Sequence, residues 1–194
     1  MAFLVIDKLF SDFPNLETER LKLRKITLDD VEDMYSYCSN EEVPKYSSWN
    51  AHNSLAETKE TIERIINQWE NKKLVHWGIE YKENRKLIGT IEFVTWDTQH
   101  KVAEIGYALS HDFWGRGIAT EAATEVIKFG FNNMNLVRIQ AKCYIENIGS
   151  ARVMEKAKMS FEGVIRKGLY VKGKHQDLKM YSIISEEFYL LHKS

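Results

Sequence analysis

The chain has 194 residues, 44% hydrophobic and 12% aromatic, which is enough for one well-buried domain and argues against disorder. Its 27 Lys+Arg nearly cancel its 28 Asp+Glu, so neither a basic surface for nucleic acid nor an acidic tail is expected of the whole protein. The near-zero total hides a division: residues 1–100 carry 13 Lys+Arg against 18 Asp+Glu, a net of −5, and residues 101–194 carry 14 against 10, a net of +4.

At the start, MAFLVIDKLFSDFP is partly apolar, but acids interrupt it and no basic region precedes it, so no signal peptide is expected. Leu21, Leu23 and Ile26 alternate with Lys22 and Arg24, the pattern of a strand with one buried face. Thr27 precedes a helix over about Asp29–Ser39, with Asp29 and Asp30 in its favourably polarised first turn. Ser54 and Glu57 fit an S-x-x-E capping box, and Ile62, Ile65, Ile66 and Trp69 share one face of the helix that follows. Val75–Glu80, Leu87–Trp96 and Val102–Ser110 read as strands, with a turn at Asn84-Arg85. After Phe113-Trp114-Gly115-Arg116-Gly117, the residues Ile118, Ala122, Val126, Ile127 and Phe131 recur at helical spacing. Val137–Tyr144 is a strand and Asn147–Lys158 a short helix. Gly163–Tyr170 and Asp177–Ile184 are strands around a turn at Lys172-Gly173, and a last helical turn starts at Ser185. The order predicts an α+β (α/β) domain with a mixed sheet, spanning 1–194 as one unit.

The strand–glycine turn–helix unit is an anion site in principle. Gly115 and Gly117 permit close backbone approach, and the first helical amides have no intrahelical acceptor. The Walker pattern is excluded because Ile118-Ala119 follow Gly117, and the dinucleotide pattern fails at Thr120. A tight turn without a ligand is the plainer reading of the G-x-G alone.

The wider text is more specific. Trp114-Gly115-Arg116-Gly117-Ile118-Ala119-Thr120-Glu121-Ala122 resembles the acetyl-CoA loop of the GNAT N-acetyltransferases. Glu146-Asn147-Ile148-Gly149-Ser150-Ala151-Arg152-Val153-Met154-Glu155-Lys156 is similar to that superfamily's N-x-x-S-x-R-V-x-E-K motif. Leu16-Glu17-Thr18-Glu19-Arg20-Leu21-Lys22-Leu23-Arg24 resembles the opening strand of its RimJ/RimL-like, ribosomal-protein branch. The matches fall in the family's order over about residues 16–184. Three positions depart from the pattern: Trp114 stands at a Gln/Arg place, Lys158 where the branch has Gly, and Leu169 near the place of a catalytic Glu in one type of the branch.

The resemblance implies a single GNAT-type domain with a mostly antiparallel mixed sheet flanked by helices. It implies acetyl transfer from acetyl-CoA to a primary amine by direct attack, with no metal. In the ribosomal branch that amine is a protein N-terminal α-amine. A polyamine or aminoglycoside-like acceptor is the alternative, and a non-catalytic CoA-binding sensor is the reading from another class. Gly115, Arg116, Gly117, Ile118, Ala119 and Thr120 would wrap the pyrophosphate. Tyr107, Ala108 and Leu109 would pair with the pantetheine arm like an added strand, and the backbone N–H of Tyr107 or Leu109 would polarise the thioester carbonyl. Asn147 would hold the pantetheine, Ser150 would lie near sulfur as a proton donor, and Arg152 and Lys156 would meet the 3′-phosphate. Asn147 equally suits a helix N-cap, and Arg152 a solvated face.

For the base, Glu104 comes first and Glu92 second, each also readable as a surface strand residue. A terminal amine, with a pKa near 8, needs no enzyme base to supply a neutral fraction. The acids Asp29, Asp30, Glu41, Glu42, Glu57 and Glu60 would border the acceptor entrance and attract a cationic amine, while the basic second half faces the phosphates. Cys143 reads as core and Asp177 as a loop anchor. Trp49, Trp77, Trp96 and Trp114 read as core or as walls of an acceptor groove. His52, His76, His100, His111, His175 and His192 show no metal-ligand spacing. Two cysteines, Cys38 and Cys143, make no disulfide framework, which suits the cytoplasm. Nucleic acid and membrane partners are not expected, and a homodimer is compatible with the resemblance.

Overall fold

The computed structural model describes Phe10 and Asp12–Leu191. His192 and most of the N-terminal apolar segment lie outside the described residues. Eight strands form one sheet in the order β1-β2-β3-β4-β5-β6-β8-β7. They are β1 (Leu16–Glu17), β2 (Leu21–Arg24), β3 (His76–Tyr81), β4 (Lys86–Asp97), β5 (Val102–Leu109), β6 (Arg138–Tyr144), β7 (Ser160–Val171) and β8 (Lys174–Ile184). The helices are α1 (Val31–Cys38), α2 (Leu55–Glu70), α3 (Ile118–Asn133), α4 (Ile148–Lys156) and α5 (Ser185–Leu191). All strand pairs are antiparallel except β5–β6, which needs the crossover through α3. The single mixed sheet agrees with the expected α+β class.

Strand alternation sorts side chains onto two faces. On one, Leu21, Leu23, Trp77, Ile79, Ile91, Phe93, Ile105 and Ile139 meet Ile118, Ala122, Val126, Ile127 and Met154 from α3 and α4. Each such large side chain contributes roughly 1.5–3 kcal/mol when fully buried. On the other, Leu87 packs with Ile26, Met34, Tyr37, Ile62 and Ile65 under α1 and α2. Gly130 lets α3 approach the sheet, since an added Cβ would lie 2.7 Å from Ile139 Cδ1.

Local chemistry shifts several expected boundaries. The helix expected from Asp29 is a 3-10 turn over Leu28–Asp30 followed by α1. Asp30 is held there by Arg24, whose Nη1 and Nη2 donate to its two oxygens at 2.9 and 2.7 Å, and by the Thr27 N–H at 2.8 Å. At α2, Ser54 Oγ accepts the Glu57 N–H as expected, but the Glu57 carboxylate takes the N–H of Asn53, one residue ahead of the cap. Strands β7 and β8 extend further towards the Lys172-Gly173 turn than expected, because both turn residues adopt positive φ (49° and 78°), which suits a tight hairpin. Lys158 takes the left-handed conformation (φ 66°) that Gly supplies elsewhere, and the Met159 N–H still closes α4 onto Met154 O at 3.0 Å.

The feature that positions the site is a divergence. β5 and β6 pair only over Val102↔Arg138, Ala103↔Ile139 and Glu104↔Gln140. Beyond Glu104, β5 continues through Leu109 while β6 stays paired with β8 through Tyr144, so the two strands separate into a wedge. An extra residue in β4 at Val94 falls opposite this point, between the pairs Phe93↔Ile105 and Thr95↔Glu104, and a bulge there increases local twist.

Candidate active site

The wedge opens into a cavity of about 650 Å³. Its walls contain Tyr107, Ala108 and Leu109 from β5, and Gly115, Gly117, Ile118, Ala119 and Thr120 from the loop and α3. Asn147, Ser150, Arg152 and Lys156 enter from α4. Of the residues singled out for the cofactor, only Arg116 is missing from the walls. Its guanidinium lies over the Phe113 ring, 5.2 Å from the centroid. Its side chain stacks there, while its backbone builds the turn.

The loop is an anion cradle by construction. Gly115 and Gly117 have φ of 74° and 77°, a region that side-chain-bearing residues rarely occupy. Gly117 is the N-cap of α3 without a capping side chain, and the first helical bond runs from Glu121 N–H to Gly117 O at 3.0 Å. The preceding amides therefore have no helical acceptor and sit at the positive end of the helix dipole. Trp114 anchors the turn by donating from Nε1 to Leu109 O at 2.8 Å.

Asn147 is the N-cap of α4. Its Oδ1 accepts the Ser150 N–H at 3.0 Å and caps α4, and it lines the cavity. Ser150 Oγ lies 2.8 Å from the Tyr107 hydroxyl. Burial raises the Tyr107 phenol well above the usual tyrosine range, against a smaller opposite effect of the Ser150 hydrogen bond. Cys143 is buried behind this pair, and burial pushes its thiol up to about 11. It is core, as expected, and poorly suited to act as a nucleophile. A second cavity of about 120 Å³ lies in the wedge between Ile105, Gly106 and Tyr107 on one side and Ala141, Lys142 and Cys143 on the other.

The candidate bases lie apart from the main cavity. Glu104 and Glu92 are absent from the walls of both cavities. Glu104 Oε2 lies 2.7 Å from Lys142 Nζ and accepts from Gln140 Nε2 at 3.0 Å. Lys142 in turn borders the small cavity. Glu92 Oε2 lies 2.8 Å from His76 Nδ1 across the β3–β4 register pair. Burial raises the Glu92 carboxyl, but its interactions with His76, and to a lesser degree with Arg64, outweigh it and the net direction is down.

Of the remaining wall, the sequence singles out Glu42 and Trp49. Glu42, Val43, Lys45, Tyr46, Ser47 and Trp49, from the 3-10 turn Val43–Tyr46 and its flanks, close the cavity. The turn is held by Lys172, whose Nζ donates to Pro44 O at 2.9 Å from the β7–β8 hairpin tip. No local motif marks this wall, because it depends on a contact 128 residues away. Trp49 and Trp114 line the cavity, Trp77 is fully buried core, and Trp96 packs partly buried against that core. Of the six acids expected at the acceptor entrance, only Glu42 lines the cavity. Asp30 and Glu57 are engaged in the caps described above. Asp177 is the expected anchor, accepting the Lys167 N–H at 2.6 Å. Among the described residues, no group of three or more His, Cys, Asp or Glu is placed to hold a metal ion, and no helix is long and apolar enough to cross a membrane.

Residues 20–160 match the family described as the acetyltransferase (GNAT) domain. The chain belongs to the GNAT acetyltransferase family. It is 36% identical over 172 residues to the N-acetyltransferase YoaA of Bacillus subtilis, itself uncharacterized, covering 89% of this chain and 97% of that one. The microcin C7 self-immunity acetyltransferase MccE, solved in complex with acetyl-CoA and AMP, is similar with a TM-score of 0.78 and 27% identity, over 86% of this chain and 93% of that chain. RimL, a ribosomal L7/L12 α-N-protein acetyltransferase solved with coenzyme A, shares the fold with a TM-score of 0.79 at 21% identity, over 90% and 99% of the two chains. This GNAT domain is an N-acetyltransferase, of a family that takes its acetyl group from acetyl-CoA. The cleft fits that donor: a glycine cradle at a helix N-terminus, an unpaired stretch of β5 and a polar α4 face converge on one space.

Proposed function

We propose that the chain transfers the acetyl group of acetyl-CoA to the α-amine of a protein N-terminus. The observation that carries the reading is the wedge between β5 and β6, with the glycine cradle at one end and the Tyr107–Ser150 pair beside it. The diphosphate sits on the amides of Gly115–Thr120. The pantetheine arm adds to the free edge of β5 at Tyr107–Leu109, with Asn147 and Ser150 across from it, and Arg152 and Lys156 serve the 3′-phosphate. Neither cation has an ion-pair partner among the described residues, which leaves both available to phosphate. A backbone N–H of β5 polarises the thioester carbonyl. Ser150, backed by the Tyr107 hydroxyl, supplies a proton to the departing thiolate.

The state of the candidate bases favours an α-amine. Glu104 and Glu92 are both engaged by cationic or imidazole partners, and both stand off the cavity walls. An α-amine, with a pKa near 8, already presents a sizeable neutral fraction at neutral pH, whereas an alkylamine near 10 requires a strong base. Glu104, with Glu92 second, then needs only to accept a proton relayed through water from the wedge.

The test is release of free CoA in the presence of three acceptors: a peptide with a free N-terminus, the same peptide N-acetylated but retaining a lysine, and spermidine. Turnover of the first alone supports the reading. Turnover confined to spermidine gives the small-amine alternative, and binding of acetyl-CoA without any turnover gives the sensor.

A further inference from the structure

Thr18 and Arg20 stand just ahead of β2, yet both are bonded to groups 96 to 103 residues away at the foot of α3. The Arg20 guanidinium acts as a fork. Its Nη1 donates to the carbonyl oxygen of Arg116 at 3.0 Å, its Nε donates to Glu121 Oε2 at 2.7 Å, and its Nη2 lies 2.6 Å from that same oxygen. The other carboxylate oxygen of Glu121 accepts the Arg20 backbone N–H at 3.0 Å and the Thr18 hydroxyl. Thr18 is itself fixed by the Leu21 N–H, which donates to its Oγ1 at 3.0 Å. Both oxygens of Glu121 are thus engaged twice, all by the segment Thr18–Arg20.

Two consequences reach the cavity. The Arg116 carbonyl and the Gly117 N–H belong to one trans peptide, so they point in opposite directions. With the carbonyl turned to Arg20, the Gly117 N–H is turned away from it, and Gly117 lines the cavity. In addition, Glu121 places a negative charge in the first turn of α3, close to where an anionic ligand would sit, and Arg20 compensates it.

We propose that Arg20 is a positioning residue for the diphosphate of the acyl donor, orienting the Arg116–Gly117 peptide and neutralising Glu121. The proposal rests on the reading that the cleft holds acetyl-CoA. It gives the opening motif of the chain a part in donor binding that no residue of that motif plays by contact with the cavity.

The test is calorimetric titration of coenzyme A, dephospho-coenzyme A and pantetheine into the wild type, Arg20→Gln, Arg20→Lys and the double variant Arg20→Gln/Glu121→Gln. Arg20→Gln is expected to weaken both nucleotides by the same factor, about tenfold, as for loss of a charge-assisted hydrogen bond. Pantetheine, which lacks the diphosphate, is expected to bind as to the wild type. The double variant should recover part of the loss, because the uncompensated carboxylate is gone. Arg20→Lys keeps the charge without the fork and should fall between. It carries the test if Arg20→Gln does not fold. The proposal is overturned if the variants bind coenzyme A as the wild type does, or if pantetheine is weakened as much as coenzyme A. A wild type that binds neither nucleotide overturns the donor reading itself, and with it this proposal.

Discussion

The Tyr107 hydroxyl and Ser150 Oγ lie 2.8 Å apart across the opening between β5 and α4, in the one region where β5 has lost its neighbour β6. Because burial holds the phenol protonated, the pair can pass a proton outward only through the hydroxyls themselves. Ser150→Ala is expected to lower kcat about 10- to 100-fold, with the KM for acetyl-CoA changed less than about threefold. Tyr107→Phe should cost less, since Ser150 remains. Steady-state kinetics of the two variants check this. A loss confined to KM would assign the pair to binding alone.

Asn147 serves α4 and the cavity with different atoms. The oxygen caps the helix through the Ser150 N–H, and the Nδ2 group has no acceptor among the described residues. Asn147→Ala should cost about 1 kcal/mol of stability and also weaken acetyl-CoA. Asn147→Asp keeps a capping oxygen but loses the amide donor, so it should restore the melting temperature and leave acetyl-CoA weakened. Thermal melts beside titrations separate the two effects.

Glu104 is held by Lys142 and Gln140 at the point where β5 and β6 part. If it relays the amine proton, Glu104→Gln should slow turnover about 10- to 100-fold. The penalty should shrink as the acceptor amine is made less basic. A series of N-terminal peptide analogues with graded amine pKa measures this, and an equal loss across the series would show that Glu104 only braces the sheet.

Stability should also report the Arg138–Glu162 pair that braces β6 against β7. Hydrogen bonds from Arg138 and then Ser182 hold the Glu162 carboxyl down at about 2. A depressed pKa contributes stability that is fully present above the unfolded value, near 4.3, and is lost as pH falls through about 2. Wild type and Glu162→Gln should therefore differ by a constant small amount above about pH 5 and converge towards pH 2. The side chain is 40% exposed, so solvent screening keeps the difference within about 1 kcal/mol. Melts across that pH range test it.

What could be read from the sequence follows from how local each cause is. The glycine loop, the α4 cap at Asn147 and the apolar face Ile62, Ile65 and Ile66 depend on residues a few positions apart, and they fold as expected, while Trp69 at the end of that face packs on the other core instead. The cavity wall at Val43–Tyr46 did not show, because it is held by Lys172 from the far hairpin. The acids of the first half mislead for a related reason. A count of charge does not reveal that Asp30 and Glu80 are both taken up by Arg24. The Tyr107–Ser150 contact likewise needs β5 and α4 brought together by the fold, 43 residues apart.

The central claim is that acetyl-CoA lies along the free edge of β5 with its diphosphate on the glycine loop. Amide hydrogen exchange with and without acetyl-CoA measures this most directly. The account predicts slowed exchange at Tyr107–Leu109 and Gly115–Thr120, with β7 unchanged. Exchange in both segments that is unaffected by saturating acetyl-CoA, or protection confined to another part of the sheet, would contradict it.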